Sequence, residues 1–364
     1  MQDTKLPIVR PEGVTVDWLT DVLHIAGHDV RVKEMTATKV GTGQVGETMR
    51  FDLTFVGDPR GAPATIVGKF PSPDEESRAT GVNLGNYFRE VRFYRDLADK
   101  ALITTPVCLH ADVDAETSEF VLMMEDLSPA VQGDQLKGLT LEQAYLAVEE
   151  VAKLHASHWG RDELDKVHWL HESKAAQDMG KAMSRDLMGQ LWAGFRERYA
   201  DDVPEDYFEI GDAIVRNYDF YRYGYEGPRC LTHNDYRPDN MMFGTAEGGY
   251  PLAVVDWQSI GFGCGLSDVS YMLSGALPRE ELRKHERQLL EHYHATLTKL
   301  GVSGFSLDEA WEGYVRYAFS LFIMAFAASM IVERTERGDK MFLAMLRGGA
   351  EHVKDLNALS ALSS

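Results

Sequence analysis

The first third of the chain alternates apolar and polar residues in short runs, a pattern typical of strands. The segments "ETMRFDLTFV", "ATIVGKF" and "EFVLMM" are rich in β-branched and aromatic residues, and Gly, Pro and Asp separate them. One segment, "NYFREVRFYRDLA", instead repeats apolar residues at helical spacing. The pattern predicts a small strand-rich unit with one helix, ending near residue 127.

Helical patterns dominate the rest of the chain. "TLEQAYLAVEEVAKLHASHW" begins with Thr140 and Gln143 in the spacing of a capping box, where each side chain accepts a hydrogen bond from the other residue's backbone N–H. The segment "REELRKHERQLLEHYHATLTKLG" ends on a glycine that suits a helix C-terminus. We therefore expect an α+β fold of two parts, residues 1–127 rich in strands and residues 128–364 mostly helical.

The most apolar segment of the chain is "YAFSLFIMAFAASMIV", from Tyr317 to Val332. It is shorter than the roughly 20 residues that span a bilayer, and Arg316 and Glu333 flank it. A capping box of Ser306 and Glu309 predicts the start of a long helix that runs into this segment. We interpret it as a buried helix that belongs to the core or to a pocket, and not as a membrane span.

Composition and charge narrow the choice of function. The chain has 364 residues, 44% of them hydrophobic, and a formal net charge of −20, which argues against a general nucleic-acid binder because phosphates require clustered Lys and Arg. The three cysteines are far apart and form no CxxC pair, so neither a disulfide framework nor a zinc site is predicted. The amino terminus shows no secretory pattern, and a cytoplasmic location is expected.

Three glycines in "GTGQVGET" have the GxGxxG spacing: Gly41, Gly43 and Gly46. A dinucleotide-binding fingerprint should lead into a helix, whereas the residues that follow alternate like a strand. The glycines therefore favour a hairpin tip whose backbone amides approach phosphates. A tight hairpin without a ligand is the simpler alternative.

A lysine and a glutamate interrupt two apolar patterns. Lys69 lies in the strand-like run "TIVGKF", and Glu90 lies on the apolar face of the one helix, beside Tyr87 and Tyr94. An unpaired buried carboxylate is strongly unfavourable, so Glu90 requires a cation, and Lys69 is the nearest candidate in sequence. We expect this pair to hold the lysine ammonium near phosphates.

The densest polar segment is "HNDYRPDN", residues 233–240, which an apolar "MMF" follows. A second apolar run, "LAVVDWQ", contains Asp256. Two short strands would bring Asn240 and Asp256 to one end of a hairpin, where an amide and a carboxylate suit Mg²⁺ with phosphate oxygens. Asp235 could then accept or orient the proton of an attacking hydroxyl. The alternative is a loop in which these residues only form turns.

These motifs resemble the protein-kinase-like superfamily. "HNDYRPDN" is similar to its catalytic loop, and "VVDWQ" to its metal-binding segment in aminoglycoside and choline kinase relatives. The resemblance implies a bilobal fold with an antiparallel-sheet N-lobe, and it implies ATP and Mg²⁺. By position, the resemblance assigns a structural role to His233, the catalytic role to Asp235 and a phosphate-binding role to Arg237. It assigns metal binding to Asn240 and Asp256, and hinge positions to Glu125 and Leu127.

Departures from the protein-kinase pattern refine the resemblance. The chain has Asp256, Trp257 and Gln258 in place of DFG, and no APE follows, which disfavours a protein substrate. "HNDYRPDNMMFG" and "AVVDWQSIGFGCGLSDVSYML" most resemble the ecdysteroid-kinase-like branch, in which Asp268 corresponds to an acid that anchors the catalytic loop. Asn234 stands where a glycine is usual, so the local backbone shape is the point to examine.

The predicted function is transfer of the γ-phosphoryl group of ATP to a hydroxyl of a small molecule. The apolar helix carries Phe319, Phe322 and Phe326 and no acid, which favours a lipophilic alcohol of steroid or polyketide type. Cationic acceptors such as aminoglycosides or choline are the alternative, because the chain is acidic. A nucleotide-binding pseudokinase scaffold is the alternative from another class. No nucleic-acid or protein partner is implied.

Two histidine pairs have spacings that could hold a metal. They are His155 with His158 and His168 with His171, but no Cys or Glu completes either set. Histidines that pack between helices are the commoner case. We therefore predict structural roles for them.

Overall fold

The computed structural model of the protein describes residues 6–41, 46–160, 164–170 and 174–362, with the side chains of residues 165 and 174–183 excluded. Its N-terminal part contains a five-stranded antiparallel sheet in the order β1-β2-β3-β5-β4. The strands are β1 (Val32–Val40), β2 (Gly46–Phe55), β3 (Thr65–Pro71), β4 (Cys108–Val113) and β5 (Phe120–Glu125).

Helices cover both faces of this sheet. They are α1 (Val16–Ile25), α2 (Glu75–Asn83) and α3 (Asn86–Asp96). Alternate residues of β5 face opposite ways, because side chains of a strand alternate. Val121 and Met123 join the apolar cluster that contains α1, whereas Phe120, Leu122 and Met124 join the cluster that contains α3 and the C-terminal core.

The prediction of a single helix in this part was incomplete. Thr15 caps α1 by accepting a hydrogen bond from the Trp18 N–H, and Asp74 caps α2 in the same way from the Ser77 N–H. Both starts carry a recognisable N-cap residue. Only Gly81 of α2 is buried, so that helix has no apolar stripe that a periodicity search could detect.

The C-terminal part is mostly helical. Its helices are α4 (Leu141–Ser157), α5 (Lys174–Arg198), α6 (Glu205–Arg216), α7 (Tyr218–Tyr223), α8 (Leu266–Ala276), α9 (Arg279–Lys299), α10 (Leu307–Arg316), α11 (Ser320–Ile331) and α12 (Glu336–Asp355). Two small sheets accompany them. Their strands are β6 (Val131–Gln132), β7 (Cys230–Thr232), β8 (Met241–Thr245), β9 (Gly248–Val254) and β10 (Gly261–Gly263), ordered β6-β8-β9 and β7-β10.

The predicted helix starts are confirmed, but the long apolar helix is divided. Capping boxes form at Thr140 and Ser306. Between α10 and α11 the N–H groups of Ala318 and Ser320 bond to carbonyls three residues back instead of four, which tightens the backbone into a turn. By length and composition the stretch Leu307–Ile331 could cross a membrane, yet half of its apolar window is buried inside the protein.

The bilobal α+β fold predicted from the sequence is confirmed, with an antiparallel sheet in the N-lobe and helices in the C-lobe. β5 ends at Glu125 and β6 begins at Val131, so the boundary predicted at residue 127 falls in the connection between the lobes. Residues that precede and follow this connection supply the candidate site.

Candidate active site

Lys69 on β3 reaches two carboxylates from different parts of the chain. Its Nζ lies 2.6 Å from Glu90 Oε1 on α3 and 3.4 Å from Asp256 Oδ1 after β9. The Glu90 side chain is 5% exposed, and it also accepts a hydrogen bond from the Trp257 N–H. The carboxylate on the apolar face of α3 thus has the predicted cation.

Electrostatics keep this lysine charged. Burial alone would lower the pKa of Lys69, but the carboxylates of Asp256 and Glu90 outweigh burial and raise that pKa above its ordinary value. The two carboxylates hold the ammonium of Lys69 as a fixed positive charge beside Asp256. A fixed positive charge of this kind suits an anionic ligand.

Asp268 on α8 anchors the loop from His233 to Asn240. The carboxylate of Asp268 accepts hydrogen bonds from the backbone N–H of His233 at 2.6 Å and of Asn234 at 2.8 Å. The Nε2 atom of His233 lies 3.1 Å from the carbonyl oxygen of Val255. Asp268 therefore holds the loop at its start, as the resemblance implied.

Asn234 adopts the backbone conformation that usually requires glycine. Its φ is 63°, in the left-handed region, which asparagine tolerates better than most residues. Its side-chain amide donates a hydrogen bond of 2.9 Å to the carbonyl of Ser259. A Cβ on Gly261 would lie 2.6 Å from that amide nitrogen, so the glycine at 261 leaves room for it. The turn at 234 is preserved despite the substitution.

The carboxylate of Asp235 is surrounded by donors. Tyr271 OH donates to Oδ1 at 2.8 Å, Asn240 Nδ2 donates to Oδ2 at 2.9 Å, and Arg237 Nε lies 3.1 Å from Oδ1. Arg237 also forms an ion pair with Asp239. Burial opposes the charge of Arg237, but Asp235 and Asp239 outweigh burial and raise the pKa of the guanidinium above its ordinary value.

Asn240 and Asp256 lie at one end of a hairpin, as predicted. Asn240 precedes β8 and Asp256 follows β9, and the Val255 N–H bonds to the Asn240 carbonyl at 3.0 Å. The side-chain nitrogen of Asn240 faces Asp235, which leaves its carbonyl oxygen for another partner. The side chain of Asp256 is 29% exposed. One amide oxygen and one open carboxylate fit a Mg²⁺ ion that takes its other ligands from phosphate and water.

Trp257 follows Asp256 and is completely buried. Its indole stacks on Phe93 of α3, with ring centroids 3.9 Å apart and planes 10° apart, and its ring centroid lies 4.8 Å from that of His233. This aromatic layer connects the helix that carries Glu90 with the loop that carries Asp235. Sequence reasoning missed Phe93, although its position three residues after Glu90 was available as a signal.

The glycine segment connects two antiparallel strands. Gly41 follows β1 with φ of 77°, and Gly46 begins β2, so the hairpin prediction is confirmed over the described residues. Gly43 lies outside the described residues. The hairpin is adjacent in the sheet to β3, which carries Lys69.

The two predicted hinge residues lie at the lobe connection. The backbone N–H of Glu125 donates to the carbonyl of Val107, and its side chain accepts a hydrogen bond from Tyr250 OH at 3.1 Å. The carbonyl of Leu127 accepts a hydrogen bond from the N–H of Ala130. Glu125 is the last residue of β5, the strand that pairs with β3, and Leu127 follows that strand.

The three phenylalanines proposed for an acceptor pocket are core residues in the structure. Phe319, Phe322 and Phe326 have no exposed surface. Trp192 packs against Phe322 and Phe326, and Tyr221 packs against Phe319. Contact with a ligand would require these rings to leave the core. The structure thus contradicts the acceptor-wall prediction for this face of α11.

His155 and His158 have structural partners. His155 is completely buried, with Nδ1 at 2.8 Å from Tyr293 OH and Nε2 at 3.3 Å from Asp268. Ser157 OH is 2.7 Å from His158 Nδ1. Over the described residues no three His, Cys, Asp or Glu side chains group as a metal site would, and His171 lies outside them.

Besides Phe93, two contributors to the site were not predicted. Tyr271 contacts Asp235 from α8, and Asp239 pairs with Arg237 inside the loop. Tyr271 follows Asp268 by three residues, which places both on one face of a helix, so the spacing "DVSY" carried the signal. Asp239 was part of the quoted loop, but its partner could not be chosen from spacing alone.

Comparison with known families agrees with this arrangement. The model of the ecdysteroid kinase-like family matches residues 64–301, which include Lys69, Glu90 and the whole loop. The chain belongs to the ecdysteroid kinase-like family. As a member it is a phosphotransferase that acts on hydroxyl groups of small molecules.

Solved structures share the fold of this ecdysteroid kinase-like protein at low identity. A candidate aminoglycoside phosphotransferase from Ralstonia eutropha JMP134 is 15% identical with a TM-score of 0.53, over 92% of this chain and 98% of that one. A microcompartment-associated aminopropanol kinase is 14% identical with a TM-score of 0.50, over 94% and 98%. The search of curated sequences finds no significant match. These similarities establish the fold alone.

Proposed function

We propose that the protein is an ATP- and Mg²⁺-dependent kinase for a neutral, lipophilic alcohol. The observation that carries this proposal is the convergence of two clusters. Lys69 and Glu90 meet Asp256, and the backbone bond between Val255 and Asn240 joins Asp256 to the loop of Asp235. A phosphate-binding cation, two oxygen ligands for a metal and a carboxylate for a hydroxyl proton therefore belong to one site.

The nucleotide end of the site is assigned to the N-lobe. Lys69 would bind the phosphates, with Glu90 fixing its ammonium, and the β1–β2 glycine hairpin would cover them. Backbone groups at Glu125 and Leu127 would bond the base. ATP is chosen over GTP by family resemblance.

Asn240 and Asp256 would hold Mg²⁺. The ion, when bound, supplies positive charge that offsets the charge of the phosphate oxygens. The chain's own residues then position the reactants. The amide of Asn240 is fixed by Asp235, and the carboxylate of Asp256 is fixed by Lys69.

Asp235 is assigned to the acceptor hydroxyl. It accepts the hydroxyl proton while the oxygen forms a bond to the γ-phosphorus and the bond to the leaving ADP oxygen breaks. Arg237 lies beside this carboxylate and would meet the transferred phosphoryl group. Its positive charge suits the negative oxygens of that group.

The first turns of α12 supply the apolar neighbour of the loop. Met341 is partly exposed, and its Sδ lies 3.5 Å from Arg237 Nη1. This contact supports an acceptor that rests on Met341, in place of the buried phenylalanines of α11. Among the described contacts of the loop, Asp235 and Asp239 both pair with Arg237. A neutral alcohol leaves these pairs intact, whereas an ammonium on the acceptor would compete with Arg237 for the same carboxylates, which favours a neutral acceptor over a cationic one.

The direct test is consumption of ATP with Mg²⁺ against parallel panels of sterols, macrolides, aminoglycosides and choline analogues, with the phosphorylated product confirmed by mass. Turnover with neutral lipophilic alcohols is expected. Turnover confined to cationic acceptors would overturn the acceptor class. Nucleotide binding with no turnover on any panel would favour the scaffold alternative.

A matched pair of variants tests the position of the acceptor. Met341→Gln should raise KM for the alcohol about 10-fold while KM for ATP holds, because a polar group replaces part of the apolar surface. Met324→Gln makes the same change on α11 and should leave both constants near the parent values. The reverse result would return the acceptor to α11.

A further inference from the structure

We infer that Tyr271 is a positioning residue that fixes the carboxylate of Asp235 during phosphoryl transfer. The inference rests on the proposed function, since it concerns the group assigned to the acceptor hydroxyl. It adds a residue outside the catalytic loop and outside the metal-binding segment. The observation that motivates it is the 2.8 Å hydrogen bond from Tyr271 OH to Asp235 Oδ1.

The position of Tyr271 on α8 is set by the anchor of the loop. Asp268 and Tyr271 are three residues apart, so both project from one face of the helix toward the loop. Asp268 holds the backbone N–H groups of His233 and Asn234, and Tyr271 holds the side chain of Asp235. One rigid helix thus fixes the loop backbone and the carboxylate together.

Burial determines the chemical form of Tyr271. The residue is 4% exposed. Burial first, and the nearby charge of Asp235 second, raise the pKa of its hydroxyl well above the ordinary value for tyrosine. The phenol therefore stays neutral and donates its proton to a hydrogen bond at every working pH. It orients the carboxylate and does not compete with it as a base.

The other donors to Asp235 have further duties in the proposed reaction. Arg237 would turn toward the transferred phosphoryl group, and Asn240 would serve the metal through its carbonyl oxygen. Tyr271 has no such second partner among the described contacts of the site. It is therefore the donor that keeps Oδ1 in place when nucleotide binds.

The experiment compares Tyr271→Phe with a matched control. Tyr314 is likewise buried and donates a 2.9 Å hydrogen bond to a carboxylate, that of Glu286, but it lies on α10, outside the loop's contacts. With the best acceptor from the panels, Tyr271→Phe should lower kcat about 10-fold or more, because small displacements of a positioned group are costly, with KM for ATP within twofold. Tyr314→Phe should keep kcat within twofold.

The split between kcat and KM separates positioning from a general loss of structure. A displaced carboxylate slows the chemical step, so in Tyr271→Phe kcat should fall while KM for the acceptor stays within about twofold, whereas Tyr314→Phe should change neither constant. Equal kcat for the two variants would overturn the inference while the kinase assignment stands.

A structural readout keeps the inference testable if no acceptor is turned over, an outcome that would defeat the proposed function itself. Crystal structures of the parent protein and of Tyr271→Phe, each with ATP and Mg²⁺ in the crystallisation buffer, should show the Asp235 carboxylate in one rotamer in the parent and in another, or in several, in the variant. An unchanged single rotamer would overturn the positioning role.

Discussion

Helices α3 and α11 are both buried and both rich in aromatic residues, yet they differ in what they contribute. α3 buries one charge, Glu90, and that charge is paired with Lys69 at 2.6 Å. α11 buries only apolar residues and the hydroxyl of Ser329, which bonds to its own helix. In this comparison the helix whose buried charge pairs with another element, β3, serves the candidate site, and the helix without a buried charge serves packing.

Phe322 provides the strongest test of the packing role of α11. Phe322→Ala should lower the free energy of unfolding by about 3–5 kcal/mol, because the ring is completely buried beside Trp192. Urea denaturation measures the loss. Activity per folded molecule should hold, and a selective loss of acceptor turnover in a stable variant would restore α11 to the site.

The opposite pattern is expected at Asp235. Asp235→Asn should leave nucleotide binding and the unfolding free energy largely intact while turnover falls by at least about 100-fold, because an amide cannot accept the hydroxyl proton. Calorimetry with ATP and Mg²⁺ provides the control. An unchanged rate in this variant would remove the assigned role.

His352 on α12 extends the comparison, because it is buried and titratable but stays neutral beside a carboxylate. Burial lowers its pKa to about 4, so it is neutral at pH 7 although its Nδ1 lies 3.4 Å from Glu286. Since the folded pKa lies below the unfolded value of about 6.5, its contribution to stability is complete above pH 6.5 and is lost as pH falls toward 4.

Glu286 acts in the opposite direction. Burial raises its pKa to about 6, so its contribution to stability is lost as pH rises from its ordinary pKa of about 4.5 to 6. Between pH 6.5 and 4.5 the parent protein should therefore lose on the order of 2 kcal/mol more stability than His352→Leu. Glu286→Gln, which lacks the opposing contribution of Glu286, should lose about 1.5 kcal/mol more than the parent. Urea titrations at the two pH values check both signs.

The smallest effect concerns the charge on α3 itself. Glu90→Gln should weaken ATP binding about 10-fold, because Lys69 loses a charged partner that fixes its ammonium. Glu150→Gln is the matched control, since Glu150 is buried and pairs with Lys153, also at 2.6 Å, on α4. Equal ATP affinity in the two variants would reduce the Lys69–Glu90 pair to a structural ion pair.

The contrast between α3 and α11 also explains which site residues could be predicted from the sequence. Lys69 and Glu90 were found because a charge within an apolar pattern must have a partner. Asn240 and Asp256 were found because two short strands bring an amide and a carboxylate to one end of a hairpin. Asp235 came from the density of polar groups in one octapeptide. Such signals are local, and the structure brings these residues together as expected.

Features that depend on three-dimensional packing could not be predicted in this way. Nothing in the apolar period of α11 distinguishes a ring that faces a pocket from a ring that faces Trp192, because both are apolar at the same spacing. The break at residues 317–319 has no Gly or Pro to mark it. Tyr271 lies three residues after Asp268, but only the structure shows that its hydroxyl reaches Asp235.

A side chain at position 261 would need the volume that the Asn234 amide occupies, which limits how the family can diversify. A side chain at 261 would displace the Asn234 amide from Ser259, whereas a glycine at 234 would vacate that space. The two positions should therefore vary together among relatives, with at most one of them carrying a side chain of this size. Gly261→Ala should be tolerated far better when Asn234→Gly accompanies it than alone.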